Sequence, residues 1–93
     1  MLKENEIVKI ARALSDKTRV RIIKEIACKG SISCGEAERI AELSQPTVSH
    51  HLKILTDAGI LNAEKNGRHI TVTVNKHVLE EFASAIAGEA LQK

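Results

Sequence analysis

Ninety-three residues suffice for one domain and fall short of the length at which chains divide. An apolar share of 43% with one Phe, no Trp and no Tyr dictates an aliphatic core, and a chain this small gains stability by pairing with a second copy. A net charge of +2 excludes a strongly polybasic or polyacidic chain, and no run approaches the ~18 apolar residues of a membrane span.

The N-terminal MLKENEIVKI lacks the apolar centre of a signal peptide, so a cytoplasmic chain with Cys28 and Cys34 reduced is expected. Charge is unevenly spread. Residues 1–30 are locally +4, residues 31–43 are −2, residues 44–69 are +1 and the remainder is −1. That is a modest basic footprint, and two copies would double it.

In chain order, Ile7, Ile10, Ala11 and Leu14 follow the i, i+3, i+4, i+7 spacing of a first helix over about 4–14. Ser15-Asp16 supplies an N-terminal cap for a second helix. Val20, Ile23 and Ala27 are expected on its inner face with Ile22 and Ile26 beside them, and Gly30 ends it. Ser33 and Glu36 form a capping box for a third helix, whose inner stripe is Ala37, Ile40 and Ala41. Ser44 caps a fourth helix with Pro46 in its first turn, where the missing N–H costs little, and Gly59 closes it after Ala58.

The third and fourth helices, joined by a tight turn at Leu43 and Ser44, read as a helix-turn-helix over about 33–58. The period then changes to two. Leu61, Ala63 and Lys65, then Ile70, Val72 and Val74, form two strands around Asn66-Gly67, which predicts a type I′ hairpin turn within a wing of about 60–75. Asn75 caps a last helix over about 76–91 with the stripe Leu79, Phe82, Ala83, Ile86 and Ala90. The predicted fold is mainly α with a small β-hairpin, in the order α-α-α-α-β-β-α. It is a winged helix-turn-helix in a single domain.

The stretch SQPTVSHHLKIL, residues 44–55, carries the chemistry. Val48, Leu52 and Leu55 mark its buried side. Ser44, Gln45, Pro46, Thr47, Ser49, His50, His51 and Lys53 are left for its leading end and outer side. In helix-turn-helix proteins the second helix enters the major groove, where Gln pairs with adenine, Thr meets thymine and Ser adapts to either partner. Lys53 suits a phosphate. The plainer alternative is a solvated face with a chance Ser/His bias. The wing tip Lys65-Asn66-Gly67-Arg68-His69 likewise admits two readings. Its cations either lie in a neighbouring minor groove or on phosphates, or they keep an exposed edge soluble.

ALSDKTRVRII (13–23), LSQPTVSHHLKILTDAGIL (43–61) and the wing NGRHITVTV together resemble the ArsR family of bacterial winged-helix repressors over nearly the whole chain. The resemblance implies a homodimer joined through the first and last helices, with a seam drawing on Ile7, Ile10, Leu14, Leu79, Phe82 and Ile86. It implies repression by binding an inverted-repeat operator of double-stranded DNA, with residues 44–55 reading bases and 65–69 as the wing tip. From their spacing alone, the same apolar stripes fit an intramolecular core equally well.

Many members of that family release DNA on binding a metal. One such site begins with Asp-x-His on the last helix. Here Asn75-Lys76-His77 keeps only the His, and the later positions Gly88 and Leu91 cannot ligate. Another is a Cys-x-Cys at the third helix, where Cys34 is followed two residues on by Glu36. No metal or other cofactor is expected, and any small inducer is unspecified.

Cys28 and Cys34 leave three readings open: a soft-metal or arsenite pair, an oxidation switch aided by the position of Cys34 in a first helical turn, or two small hydrophobes. An enzyme would have to rest on Cys34 with His50 or His51, without a phosphate loop or aromatic pocket walls, so none is expected. A protein-binding winged helix should show aromatic or Leu anchors where this helix has Ser, Thr, Gln and His.

Overall fold

The computed structural model describes residues 2–41 and 45–88. Its elements are α1 (Glu4–Ala13), α2 (Lys17–Lys29), β1 (Ile32–Ser33), α3 (Cys34–Ala41), α4 (Gln45–Asp57), β2 (Leu61–Asn66), β3 (His69–Val74) and α5 (Lys76–Ala87). The sheet runs β1-β3-β2, antiparallel throughout. This is a winged helix-turn-helix, with β1 added to the predicted order. The turn at Leu43 and Ser44, the Ser44 cap and Ala90 lie outside the described residues.

Local chemistry sets the helix ends. The carboxylate of Glu6 accepts the Lys3 N–H at 2.7 Å at the head of α1. Asp16, not Ser15, caps α2 by accepting the Arg19 N–H at 3.0 Å, while the Ser15 hydroxyl turns back to the Arg12 carbonyl at 2.7 Å. Ser33 and Glu36 form the predicted box at 3.0 and 3.2 Å. Gly59, at φ +82°, lets the chain leave α4 so that the Ile60 N–H returns to the Leu55 carbonyl at 3.0 Å. Asn75 caps α5 through the Val78 N–H at 3.2 Å.

The core is wholly aliphatic. Val48, Leu52 and Leu55 are buried as predicted, with Ile60 and Leu61 beneath them. On α2 the buried face is Ile22, Ile23 and Ile26, whereas Val20 and Ala27 are exposed. The helix is turned from the predicted stripe because three isoleucines bury more apolar area than one Ile with Val and Ala. Similarly, α1 buries Ile10 and Ala13 and leaves Ala11 at the surface.

The hairpin also differs by one residue from prediction. Asn66 pairs with His69, so the turn residues are Gly67 and Arg68, with Gly67 at φ +63°. Moving a turn by one residue shifts the pairing by two and keeps every side chain on its face, so alternation alone cannot distinguish the two registers. The observed one sets Leu61 against Val74 and extends to the Asn75 N–H bonded to the Ile60 carbonyl at 2.8 Å. Only the base of this sheet is in the core. Along β2 every residue after Leu61 is exposed, which leaves the distal hairpin as a projecting wing.

Candidate nucleic-acid interface

The first turns of α4 and the wing tip supply the exposed polar groups. Pro46, Thr47, Ser49, His50 and Lys53 are all exposed, on the side of α4 away from Val48, Leu52 and Leu55. Ser44 and the side chain of Gln45 lie outside the described residues. Lys53 Nζ meets Asp57 Oδ2 at 3.2 Å with 74% of its side chain exposed. An exposed pair one helical turn apart is worth a few tenths of a kcal/mol, so Lys53 is readily surrendered to a stronger anion.

His51 departs from expectation. It does not share the outer side with His50, and only 13% of its side chain is exposed. Its Nδ1 lies 3.2 Å from Arg19 Nη1 and 4.0 Å from Asp16 Oδ2. The sequence held the signal for this. Val48, Leu52 and Leu55 occupy i, i+4 and i+7, and His51 fills the missing i+3 place of the same inward stripe.

At the wing tip Lys65, Asn66, Gly67, Arg68 and His69 are all exposed. Among the described residues neither Lys65 nor Arg68 is paired with a carboxylate. Two such cations on the farthest projection of a sheet suit a polyanion.

Between α4 and the sheet lies an open cleft of about 260 Å³, walled by Leu52, Ala63, Ile70 and Val72, with Cys34 at its edge. Burial pushes the Cys34 thiol up, and the negative charge of Glu38 adds to this. Both influences favour the protonated thiol. Cys28 is exposed on α2, and both thiols are free. Neither His50 nor His51 lines the cleft beside Cys34, so the only nucleophile–base pair the sequence offered is not assembled there. Among the described residues no three His, Cys, Asp or Glu side chains converge, and His77, 80% exposed, sits 3.4 Å from Glu81 on α5.

The six seam candidates are distributed unevenly. Ile10 is wholly inside the chain's own core, because α1 must bury its central side chain to pack at all, so it presents no surface to a partner. Ile7, Leu14, Leu79 and Phe82 are half-buried, and Ile86 is 64% exposed. Val8, which the sequence pattern passed over, is 48% exposed.

Residues 14–64 match a family model described as a helix-turn-helix domain. The chain is 33% identical over 75 residues to the arsenical resistance operon repressor of Staphylococcus xylosus, covering 81% of this chain and 71% of that one. Its fold is similar to a crystal structure of an ArsR family transcriptional regulator, with a TM-score of 0.84 at 22% identity over 98% and 92% of the two chains. A solution structure of a homodimeric winged helix-turn-helix domain from Mycobacterium bovis, a possible ArsR-family regulator, gives 0.75 at 18% identity over 92% and 80%. Sequence relationship and fold agree, and the chain belongs to the ArsR family of DNA-binding winged helix-turn-helix transcriptional regulators.

Proposed function

We propose that the chain is a homodimeric repressor that reads an inverted-repeat operator through residues 44–55 and the wing tip 65–69. The observation that carries this reading is the outer side of α4. Thr47, Ser49 and His50 are exposed there beside Lys53, and the exposed cations Lys65 and Arg68 stand on the neighbouring wing. Thr47, Ser49 and His50, with Ser44 and Gln45 ahead of them, meet base edges; Lys53, Lys65 and Arg68 meet phosphates or the adjoining minor groove.

Repression is supported by the 33% identity to a protein named as an operon repressor, and pairing by the homodimeric state of the similar M. bovis domain. Two copies related by a twofold axis would present two reading helices to two half-sites, which is why an inverted repeat is the expected target.

The test is fluorescence anisotropy of the purified protein on DNA from upstream of its own gene, measured across salt. Specific binding should exceed binding to scrambled DNA by at least about 10³-fold, with the log of affinity falling by roughly 0.9 per log unit of salt for each phosphate neutralised. Equal affinity for both duplexes, on this promoter and on other genomic fragments, would overturn the reading.

A further inference from the structure

Arg19 stands at the third position of α2 and is bound on every side. Its backbone N–H is taken by the Asp16 cap. Its guanidinium Nε donates to the Ala13 carbonyl at 2.7 Å and Nη2 to the Arg12 carbonyl at 3.2 Å, both in the last turn of α1, where helical donors have run out. The remaining branch, Nη1, meets His51 Nδ1 of α4 at 3.2 Å. A guanidinium only donates, so His51 Nδ1 must be the acceptor. That fixes the imidazole as neutral, with its proton on Nε2.

We propose that Arg19 is a positioning residue for DNA recognition, its guanidinium fixing the reading helix α4 through neutral His51 to the C-terminal end of α1. One planar fork joins three elements at set angles, which a single ammonium nitrogen on a flexible stem cannot do. His51 stands one residue from His50 and two from Ser49 and Lys53, so a rotation of α4 about its axis moves all three outer groups together. Base readout tolerates little such movement, because paired donors and acceptors must be held to about 0.5 Å. The link also starts on α1, the helix assigned above to the dimer seam. The fork therefore connects the element that sets the spacing of two copies to the element each copy inserts.

The inference rests on the DNA-reading function proposed above, and its test separates the two. The probes are a duplex selected from random DNA by the wild-type protein and a scrambled duplex of equal length. The variants are Arg19→Lys, which keeps the charge but not the fork, His51→Gln, whose amide oxygen can accept from Arg19, and His51→Met, which cannot accept. Arg19→Lys and His51→Met should lose operator affinity on the order of tenfold or more, since a 1 Å misplacement of a positioned group costs up to ~10²-fold. Their affinity for the scrambled duplex should stay within about twofold, because phosphate contacts tolerate small shifts. His51→Gln should restore operator binding, and the Arg19→Lys/His51→Met double variant should be no worse than either single one.

Nitrogen-15 shifts of the His51 ring, taken without DNA, should report the Nε2–H form and should change in Arg19→Lys. Operator binding unaltered in Arg19→Lys, a His51→Gln variant as defective as His51→Met, or an Nδ1–H imidazole would overturn the proposal. So would a parallel loss on both duplexes that tracks a lowered melting temperature. A wild-type protein that selects no sequence would overturn the function instead, and the ring shifts would still decide the link.

Discussion

Asp16 combines three interactions in one carboxylate: it caps α2, it feels the charge of Arg19, and it lies 4.0 Å from His51. The Arg19 backbone N–H first, and then the positive charge of Arg19, hold its pKa below the ordinary 3.8. Glu36 is held below 4.5, first by the Ser33 N–H and then by Lys29 at 3.8 Å. A carboxylate whose folded pKa is depressed stabilises the fold fully above its unfolded pKa, and that contribution disappears as pH falls through the folded value. Melting temperature should therefore decline below about pH 4.5. Asp16→Asn, which can still cap, and Glu36→Gln should each show a lower plateau at neutral pH and a shallower acid decline. Circular dichroism melts between pH 2.5 and 7 check this, and acid limbs parallel to the wild type would refute it. At this scale the sequence was readable wherever a side chain acts on its own neighbours, as in Ser33 with Glu36. It was not readable where the partner is distant. Nothing near His51 in the sequence announces Arg19, 32 residues away, and the burial that raises the Cys34 thiol arises only once α3 packs in the fold.

The elements were legible in proportion to the length of their periodic signal. Both helices of the helix-turn-helix and both wing strands follow from spacing, whereas β1 is two residues long and has no period to detect. Its importance lies in Ile32, 1% exposed and paired with Val72, which holds the base of the wing to the helices. Ile32→Ala should cost about 2–4 kcal/mol as a large-to-small core change. For a domain of this size that lowers the melting temperature by roughly 10–25 °C. A fall below about 3 °C in a thermal melt would mean that the strand contributes little. The two halves of the interface should fail differently. Ser49→Ala should weaken operator binding by about 1 kcal/mol and leave scrambled DNA unaffected. The pair Lys65→Ala with Arg68→Ala should weaken both duplexes together and reduce the salt slope by about one for each phosphate no longer neutralised. Anisotropy titrations at several salt concentrations separate the two patterns, and a wing variant that alters sequence preference alone would move Lys65 and Arg68 from phosphates to bases.

At the scale of the whole molecule the question is what covers α5. Among its described residues none is buried; Val78, Leu79 and Phe82 only lean on the core, and Ile86 is 64% exposed. On α1, against which α5 packs, Val8 is 48% exposed. A small aliphatic core gains from a partner placed there, which is the arrangement proposed above. Because Ile86 contributes so little to the single chain, Ile86→Lys should leave the protomer's helix content intact. In a desolvated seam the same lysine would be an unpaired charge costing several kcal/mol. Sedimentation velocity should therefore show a dimer for the wild type and a monomer for Ile86→Lys at micromolar concentration. Operator affinity should drop by about 10²–10⁴, the gain that a second linked binding module supplies. The melting temperature of the variant should also lose its dependence on protein concentration, since mass action no longer stabilises the fold. A variant that remains dimeric would place the seam elsewhere and leave the exposed end of α5 without the role argued for it. One that becomes monomeric but still binds the operator at full strength would show that a single reading helix and wing suffice.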